Sequence, residues 1–279
     1  KGLMSTTRII VLTSLAMVAF AGNSLLCRAA LLHTSIDAAS FTSIRLISGA
    51  AMLWFVVWVR QGAAAGAGNW PSAFALFIYA AGFSFAYVSL PAGTGALLLF
   101  GAVQATMIGY GIWCGERLRQ SQLAGLLLAL AGLIGLLMPG LAAPPLYGSV
   151  LMLAAGVAWG IYSLRGKGVG DPTHVTTGNF LRAVPITAAM SLLMWSGSSL
   201  DTAGFWYAVS SGALASGMGY AIWYTALPAL RATNAATIQL SVPVIAAVGG
   251  ILILGEAITL RLALASLAIL GGVALVILQ

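Results

Sequence analysis

Charged residues are scarce in this sequence. They make up 6% of its 279 residues, whereas apolar residues make up 61%. Soluble domains carry about a quarter charged residues, and a soluble fold of this length would not stay dispersed with so few. The composition therefore excludes a soluble globular domain and indicates an integral membrane protein.

The sequence also lacks the strict alternation of apolar and polar residues that a membrane-spanning strand requires. Residues 123–137 are apolar on every face, and only a helix satisfies all backbone hydrogen bonds of such a segment inside a bilayer. About 20 helical residues cross the apolar core of a bilayer. The sequence predicts an all-α integral membrane protein with ten transmembrane helices, at residues 9–31, 40–59, 70–90, 93–113, 121–138, 146–164, 176–195, 203–225, 232–254 and 260–278.

Groups that would drive chemistry or active transport are also missing. There is no phosphate-binding loop of the GxxxxGK[ST] type, and no loop is large enough to fold as an ATPase domain. The five acidic residues and both histidines fall in loops or at span ends, whereas proton-coupled carriers use such groups at depth. No catalytic constellation is present. We therefore expect no cofactor, no bound metal and no enzyme activity, and we favour facilitated diffusion or exchange over proton antiport.

Cysteine is rare, and positive charge is dispersed. Cys27 and Cys114 fall near opposite predicted membrane faces, so an intrachain disulfide is excluded and both are expected to pack within the bundle. The net charge of +7 comes from basic residues scattered singly between spans, without the basic stripe that nucleic acid requires. We therefore expect the lipid bilayer and a small-molecule substrate as partners, no nucleic acid, and a monomer.

The distribution of basic residues predicts the orientation. Eight of the twelve Lys and Arg residues lie on the side of the N-terminus, two lie on the other side, and two lie within spans. Positive residues concentrate on the cytoplasmic side of membrane proteins. Both termini are therefore predicted to be cytoplasmic.

The chain repeats itself. A Gly-Glu pair closes the fourth span at Glu116 and the ninth at Glu256, and an arginine lies just inside the second span at Arg45 and the seventh at Arg182. Five helices per copy is an odd number, so the second copy enters the membrane inverted, as in many alternating-access transporters. The sequence predicts two inverted five-helix repeats around a central cavity, at residues 8–139 and 146–279.

These features resemble the drug/metabolite transporter superfamily in its ten-helix EamA-type form. The resemblance rests on the two Gly-Glu pairs, the two in-span arginines, Pro243 in the ninth span, and the aromatic residue with glycine in the first helix of each half. Residues 20–24 and 42–49 are similar to the bacterial aromatic amino-acid exporters. One departure is that the fourth span has no proline matching Pro243. The resemblance implies export from the cytoplasm through a central cavity in the bacterial inner membrane.

Aromatic and amide side chains near mid-depth are the candidate substrate-binding residues. Gln104 is costly to bury unless it faces a partner or water, so it either lines a cavity or joins two helices. Tyr79 and Trp159 lie too deep for interfacial anchoring, and core packing is the alternative for them. The candidates are Asn23, Ser24, Tyr79, Phe83, Tyr87, Gln104, Trp159, Tyr162, Tyr220 and Gln239.

Five residues are predicted to be structural: Arg45, Glu116, Arg182, Pro243 and Glu256. The two arginines lie shallow enough to reach the membrane interface. Arg45 shares the outer side with Glu256, and Arg182 shares the inner side with Glu116. We therefore hypothesise that the opposite charges of each pair neutralise each other. Pro243 frees a backbone carbonyl one turn earlier, which either lines the cavity or only marks a bend.

The absence of charge at mid-depth also restricts the substrate. A multivalent anion needs Lys or Arg there and a lipophilic cation needs a carboxylate. By elimination the sequence favours export of neutral or zwitterionic metabolites, with amino acids, including aromatic ones, as the best candidates. The alternatives are a broad multidrug efflux carrier, a passive channel and, least favoured, a membrane-embedded enzyme.

Overall fold

The computed structural model describes residues 5–62, 67–115, 117–140, 142–166, 170–230 and 232–278. Within these ranges the chain forms no strand, two short 3-10 helices at Trp195–Gly197 and Leu227–Ala229, and ten long helical segments. They are α1 (Thr6–His33), α2 (Ala38–Gln61), α3 (Trp70–Tyr87), α4 (Ala92–Trp113), α5 (Gln120–Leu137), α6 (Leu146–Arg165), α7 (Pro172–Leu193), α8 (Thr202–Val209, π-helical Ser210–Met218 and Gly219–Ala226), α9 (Ala232–Gln239 and Ser241–Leu254) and α10 (Leu260–Ile277).

Seven of the described helices are long and apolar enough to cross a membrane: α1, α2, α4, α5, α6, α9 and α10. The outside of the bundle is apolar, and side chains such as Leu252 and Leu267 are 78% and 72% exposed. Such a surface suits lipid, where every backbone group must be satisfied within helices. The chain is a multi-pass, all-helical membrane protein.

Polar caps fix several helix starts. The side chains of Asp37, Asn69 and Asp171 accept hydrogen bonds from the first-turn backbone amides of α2, α3 and α7. A cap of this kind satisfies amides that the helix itself leaves unpaired. The predicted start of the seventh span, at residue 176, was therefore four residues late, because Asp171 and Pro172 begin the helix.

The helices of the two halves pack against one another in a reciprocal pattern. α2 packs on α7, α4 on α9, and α5 on α10. α3 packs on α6 and α7, while α8 packs on α1 and α2; α4 packs on α6, while α9 packs on α1. Each of these contacts is thus matched by the contact obtained when every helix is exchanged for the one five positions along the chain.

Two helices depart from regular α geometry. α8 is π-helical over Ser210–Met218, and α9 is interrupted at Leu240, three residues before Pro243. Proline has no backbone N–H, so the carbonyl of Gln239 loses its usual partner four residues on. The interruption lies one turn before Pro243, where the sequence predicts a freed carbonyl, whereas nothing in the sequence had indicated the π-helix. α4 has no such interruption.

Both cysteines are free, as expected. Cys27 is buried in α1, but Cys114 is exposed at the end of α4. The prediction that Cys114 packs within the bundle was therefore wrong.

Gly156 allows α6 to approach α4 closely, and we expect Gly156→Ala to destabilise the protein. A Cβ at this position would lie 2.5 Å from Cβ of Ala102 and 2.6 Å from the carbonyl oxygen of Leu99. Overpacking of this kind costs about 1–3 kcal/mol. The apparent melting temperature of detergent-purified protein should fall.

Gly109 in α4 provides the matched control, because a Cβ there meets no atom within 4 Å. Gly109→Ala should leave the melting temperature unchanged or raise it, since alanine is the better helix former. Equal effects of the two substitutions would contradict close α4–α6 packing at Gly156.

Candidate substrate cavity

A cavity of about 420 Å³ lies inside the bundle and is lined by residues of α1, α3, α4, α6, α7, α8 and α9. A small metabolite fits in this volume, which is within the range of small-molecule sites. Nine of the ten candidate substrate residues line it: Asn23, Ser24, Tyr79, Phe83, Gln104, Trp159, Tyr162, Tyr220 and Gln239.

Trp159 is the centre of the aromatic part of the lining. Its ring stacks on Tyr162 at 5.2 Å and on Tyr220 at 5.3 Å, and it lies 4.7 Å from the ring of Tyr79. These four rings come from α3, α6 and α8. Offset and tilted rings at such distances attract one another and present π faces to a ligand.

Amide groups provide the polar part. Gln104 is 5% exposed, lines the cavity and has no hydrogen-bond partner among the described residues. Of its two predicted roles, this arrangement favours cavity lining over an interhelical hydrogen bond. Gln239 lines the cavity at the interruption of α9.

A chain of hydrogen bonds crosses the buried end of the cavity. The hydroxyl of Ser211 donates to Oδ1 of Asn23 at 2.6 Å, and Nδ2 of Asn23 donates to the hydroxyl oxygen of Tyr79 at 3.4 Å. Nη2 of Arg45 donates to the same oxygen at 3.0 Å. The chain joins α8, α1, α3 and α2, and Ser211 belongs to the π-helical stretch of α8.

Among the described residues, the lining of the cavity is exposed at one end only. Its lining reaches the exposed residues Asn69, Arg165 and Gly166, where α3 begins and α6 ends. At the other end the lining residues Ser24 and Phe83 are 1% exposed. The structure therefore has one open and one closed face.

An ion pair holds the closed face. Nε of Arg28 lies 3.1 Å from Oε1 of Glu256, and both side chains are mostly buried. Nη1 of Arg28 donates to the carbonyls of Tyr87 and Val88, and Oε2 of Glu256 accepts from the backbone amide of Ala92 at 2.8 Å. These bonds connect the ends of α1, α3 and α9 and the start of α4.

Comparison with known proteins identifies the family. The sequence profile of the EamA-like transporter family matches residues 146–278. An uncharacterized protein of Pseudomonas aeruginosa is 58% identical over 275 residues, which cover 98% of this chain and 96% of that protein. The chain belongs to the EamA-like transporter family. This places it in the drug/metabolite transporter superfamily.

More distant relatives agree with this assignment. An uncharacterized transporter of Archaeoglobus fulgidus is 26% identical over 217 residues, covering 74% of this chain and 77% of that protein. A solved crystal structure covers 98% of both chains with a TM-score of 0.68 at 20% identity, which shows a common fold. The family and the archaeal relative indicate that this EamA-like protein is a transporter.

Tyr87 is the candidate that the structure places outside the cavity of this transporter. Its side chain is fully buried, its hydroxyl donates to the carbonyl of Ala92 at 3.2 Å, and its ring packs against Gly95. Its environment is that of a packing residue, and the prediction that it contacts substrate is not retained.

The predicted pairing of the in-span arginines needs correction. Glu256 pairs with Arg28 rather than Arg45, and Arg45 is only 2% exposed instead of reaching the interface. Arg182 donates to the carbonyl of Gly178 within its own helix at 2.9 Å. Glu116 lies outside the described residues, so its predicted pairing with Arg182 stays a prediction.

Asn179 and Ser211 are among the buried polar residues near the cavity that were missed. Asn179 lines it, donates to the hydroxyl of Tyr162 at 3.3 Å, and accepts from the backbone amide of Asn69. Ser211 anchors the hydrogen-bond chain at the buried end. Asn179 is an amide inside an apolar helix, the same signal that identified Gln104, whereas a lone serine gives no such signal.

Proposed function

We propose that this protein exports small neutral or zwitterionic metabolites, and amino acids including aromatic ones above all, from the cytoplasm. The observation that carries the proposal is a cavity lined by stacked aromatic rings and amides, open at one face and closed at the other. Aromatic faces suit an apolar side chain, and the amides and hydroxyls suit the polar groups of a zwitterion.

Alternating access between two inverted repeats is the mechanism that we propose. The reciprocal packing of residues 8–139 and 146–279 supports it, because the principal contacts between the halves have counterparts under exchange of the halves. In such carriers the substrate binds between the halves and access switches from one face to the other. The open face carries the start of α3, which is the side of the N-terminus; with cytoplasmic termini in a bacterial inner membrane, the structure is inward-open.

Transport should not require a proton gradient. No carboxylate or imidazole occurs among the described residues that line the cavity. Buried acids or histidines normally carry coupled protons in membrane carriers. We therefore expect flux to follow the solute gradient alone, by facilitated diffusion.

The experiment is reconstitution in liposomes with labelled L-phenylalanine, L-tryptophan, glucose and tetraphenylphosphonium, with and without an imposed pH gradient. Saturable flux and counterflow of the amino acids, unchanged by the gradient, is the expected result. Uphill accumulation driven by the gradient would contradict facilitated diffusion. Saturable flux of tetraphenylphosphonium without amino-acid flux would indicate a multidrug carrier. Flux that shows neither saturation nor counterflow would indicate a channel.

A further inference from the structure

Arg45 is a buried cation with most of its hydrogen-bonding capacity unused. Only Nη2 has a bond, to the hydroxyl oxygen of Tyr79, while Nε and Nη1 are buried without a partner in the part of the chain that the structure describes. Leaving charged donors unpaired in a membrane interior is costly. A cost of this kind is expected where a site awaits a ligand.

No protein carboxylate neutralises this charge among the described residues. Glu256 is paired with Arg28. Asp37, Asp171 and Asp201 cap the starts of α2, α7 and α8. The four described acids are thus engaged elsewhere, and the guanidinium lies instead over the ring of Phe83 at 4.7 Å and that of Tyr79 at 5.3 Å. Cation–π contacts hold the cation in place without cancelling its charge.

The hydroxyl of Tyr79 connects this charge to the cavity. Its oxygen accepts hydrogen bonds from both Arg45 and Asn23, and Asn23 is itself fixed by the donor Ser211. With its oxygen used by two donors, the hydroxyl has its own proton left to donate. No described residue accepts that proton, and Tyr79 lines the cavity.

We propose that the closed end of the cavity is an anion subsite in which the hydroxyl of Tyr79 donates to a carboxylate of the solute. Arg45 acts through Tyr79 as a positioning residue, because it orients the hydroxyl and supplies the positive charge. The proposal rests on the proposed transport function and specifies its substrate class: a carboxylate at Tyr79, with an apolar or aromatic portion toward Trp159. It gives Arg45 a role beyond the structural one predicted from the sequence.

The test compares ligands of one shape that differ in charge. Binding of 3-phenylpropanoate and of 3-phenylpropanamide to the purified protein is measured by the shift in melting temperature with ligand concentration. Flux of L-phenylalanine and of L-phenylalaninamide is measured in liposomes. The wild type should bind the acid about tenfold more tightly than the amide, as expected for one charge-assisted hydrogen bond.

Tyr79→Phe and Arg45→Met should reduce this preference. Affinity for the acid should fall about tenfold, whereas affinity for the amide, whose carbonyl accepts only a neutral hydrogen bond from Tyr79, should fall clearly less. Arg45→Lys keeps the charge and should keep most of the preference. Arg182→Met is the matched control, since the hydrogen bond of Arg182 to a described residue lies within its own helix, and it should leave the ratio unchanged. If Arg45→Met does not fold, the Tyr79→Phe variant alone tests the proposal, because it keeps the guanidinium of Arg45 and removes only the hydroxyl.

A wild type without preference for the acid, or variants that lose acid and amide equally, would overturn the anion subsite. In that case saturable flux of L-phenylalanine would leave the transport proposal intact. Conversely, a preference for the acid without saturable flux of any tested amino acid would overturn the transport proposal and leave the subsite standing.

Discussion

Trp159→Ala is expected to reduce the flux of L-tryptophan and L-phenylalanine by about 30-fold or more. This is the effect expected from losing a central aromatic contact worth about 2 kcal/mol. The ring of Trp159 lies against those of Tyr79, Tyr162 and Tyr220, so its removal takes away the shared π surface of three helices. Initial rates in liposomes, at equal amounts of correctly folded protein, give the measurement.

Trp113→Ala is the matched control for this substitution. Trp113 ends α4, is 88% exposed, and does not line the cavity. Its replacement should leave amino-acid flux within about twofold of the wild type, because exposed tryptophans near span ends act as interfacial anchors. Equal losses in the two variants would argue against the aromatic cavity as the substrate site.

Glu256→Gln should open the closed face. The carboxylate of Glu256 accepts from Arg28 and from the amide of Ala92, and these bonds join α9 to α1 and α4. Loss of one charge-assisted hydrogen bond is worth about 1.5–3 kcal/mol, which corresponds to roughly a 10- to 100-fold increase in the outward-open population.

A cysteine at Ser24 reports the change. Ser24 lines the buried end of the cavity, and in a background of Cys27→Ala and Cys114→Ala it would carry the only thiol. A membrane-impermeant thiol reagent applied to the periplasmic side should label Ser24→Cys slowly, and at least tenfold faster when Glu256→Gln is added. Fast labelling before Glu256 is changed would contradict both the closed face and the proposed orientation.

Arg261 provides a control on the same face. Its guanidinium donates to the carbonyl of Met138 and ties α10 to α5, away from the cavity. Arg261→Gln should therefore leave labelling at Ser24→Cys unchanged. An increase as large as that of Glu256→Gln would mean that any disturbance of this face opens it.

Most helix boundaries were predictable because they depend on local properties of the chain. The predicted span 146–164 corresponds to Leu146–Arg165, and 93–113 to Ala92–Trp113. Where a polar cap extends a helix beyond its apolar run, as at Asp171, hydropathy alone places the start too late. The π-helical stretch of α8 was not predictable, because its side chains carry no periodic signal that distinguishes it from an α-helix.

The depth and polarity of residues in the sequence identified candidates for the cavity lining. Which of their side chains face the cavity could be determined only from the structure. Tyr79, Phe83 and Tyr87 recur at every fourth residue, which suggested a single face. Eight residues at about 100° each bring Tyr87 roughly 80° away from Tyr79, and the structure places it outside the cavity. Residues spaced four apart over two helical turns are therefore expected to lie near one another, but the first and the last need not face the same cavity.

The sequence by itself determined that this protein spans a membrane through helices, since scarce charge and long apolar runs allow no other way to satisfy the backbone in lipid. It also identified nine of the residues that line the cavity, among them Trp159 and Gln104, but it missed Asn179. Only the tertiary structure decided the electrostatics. Glu256 pairs with Arg28, 228 residues away along the chain, and Arg45 is left with the rings of Tyr79 and Phe83. The pairing of charges depends on how helices that are distant in sequence pack against one another. The depth of a residue within its span does not determine that packing.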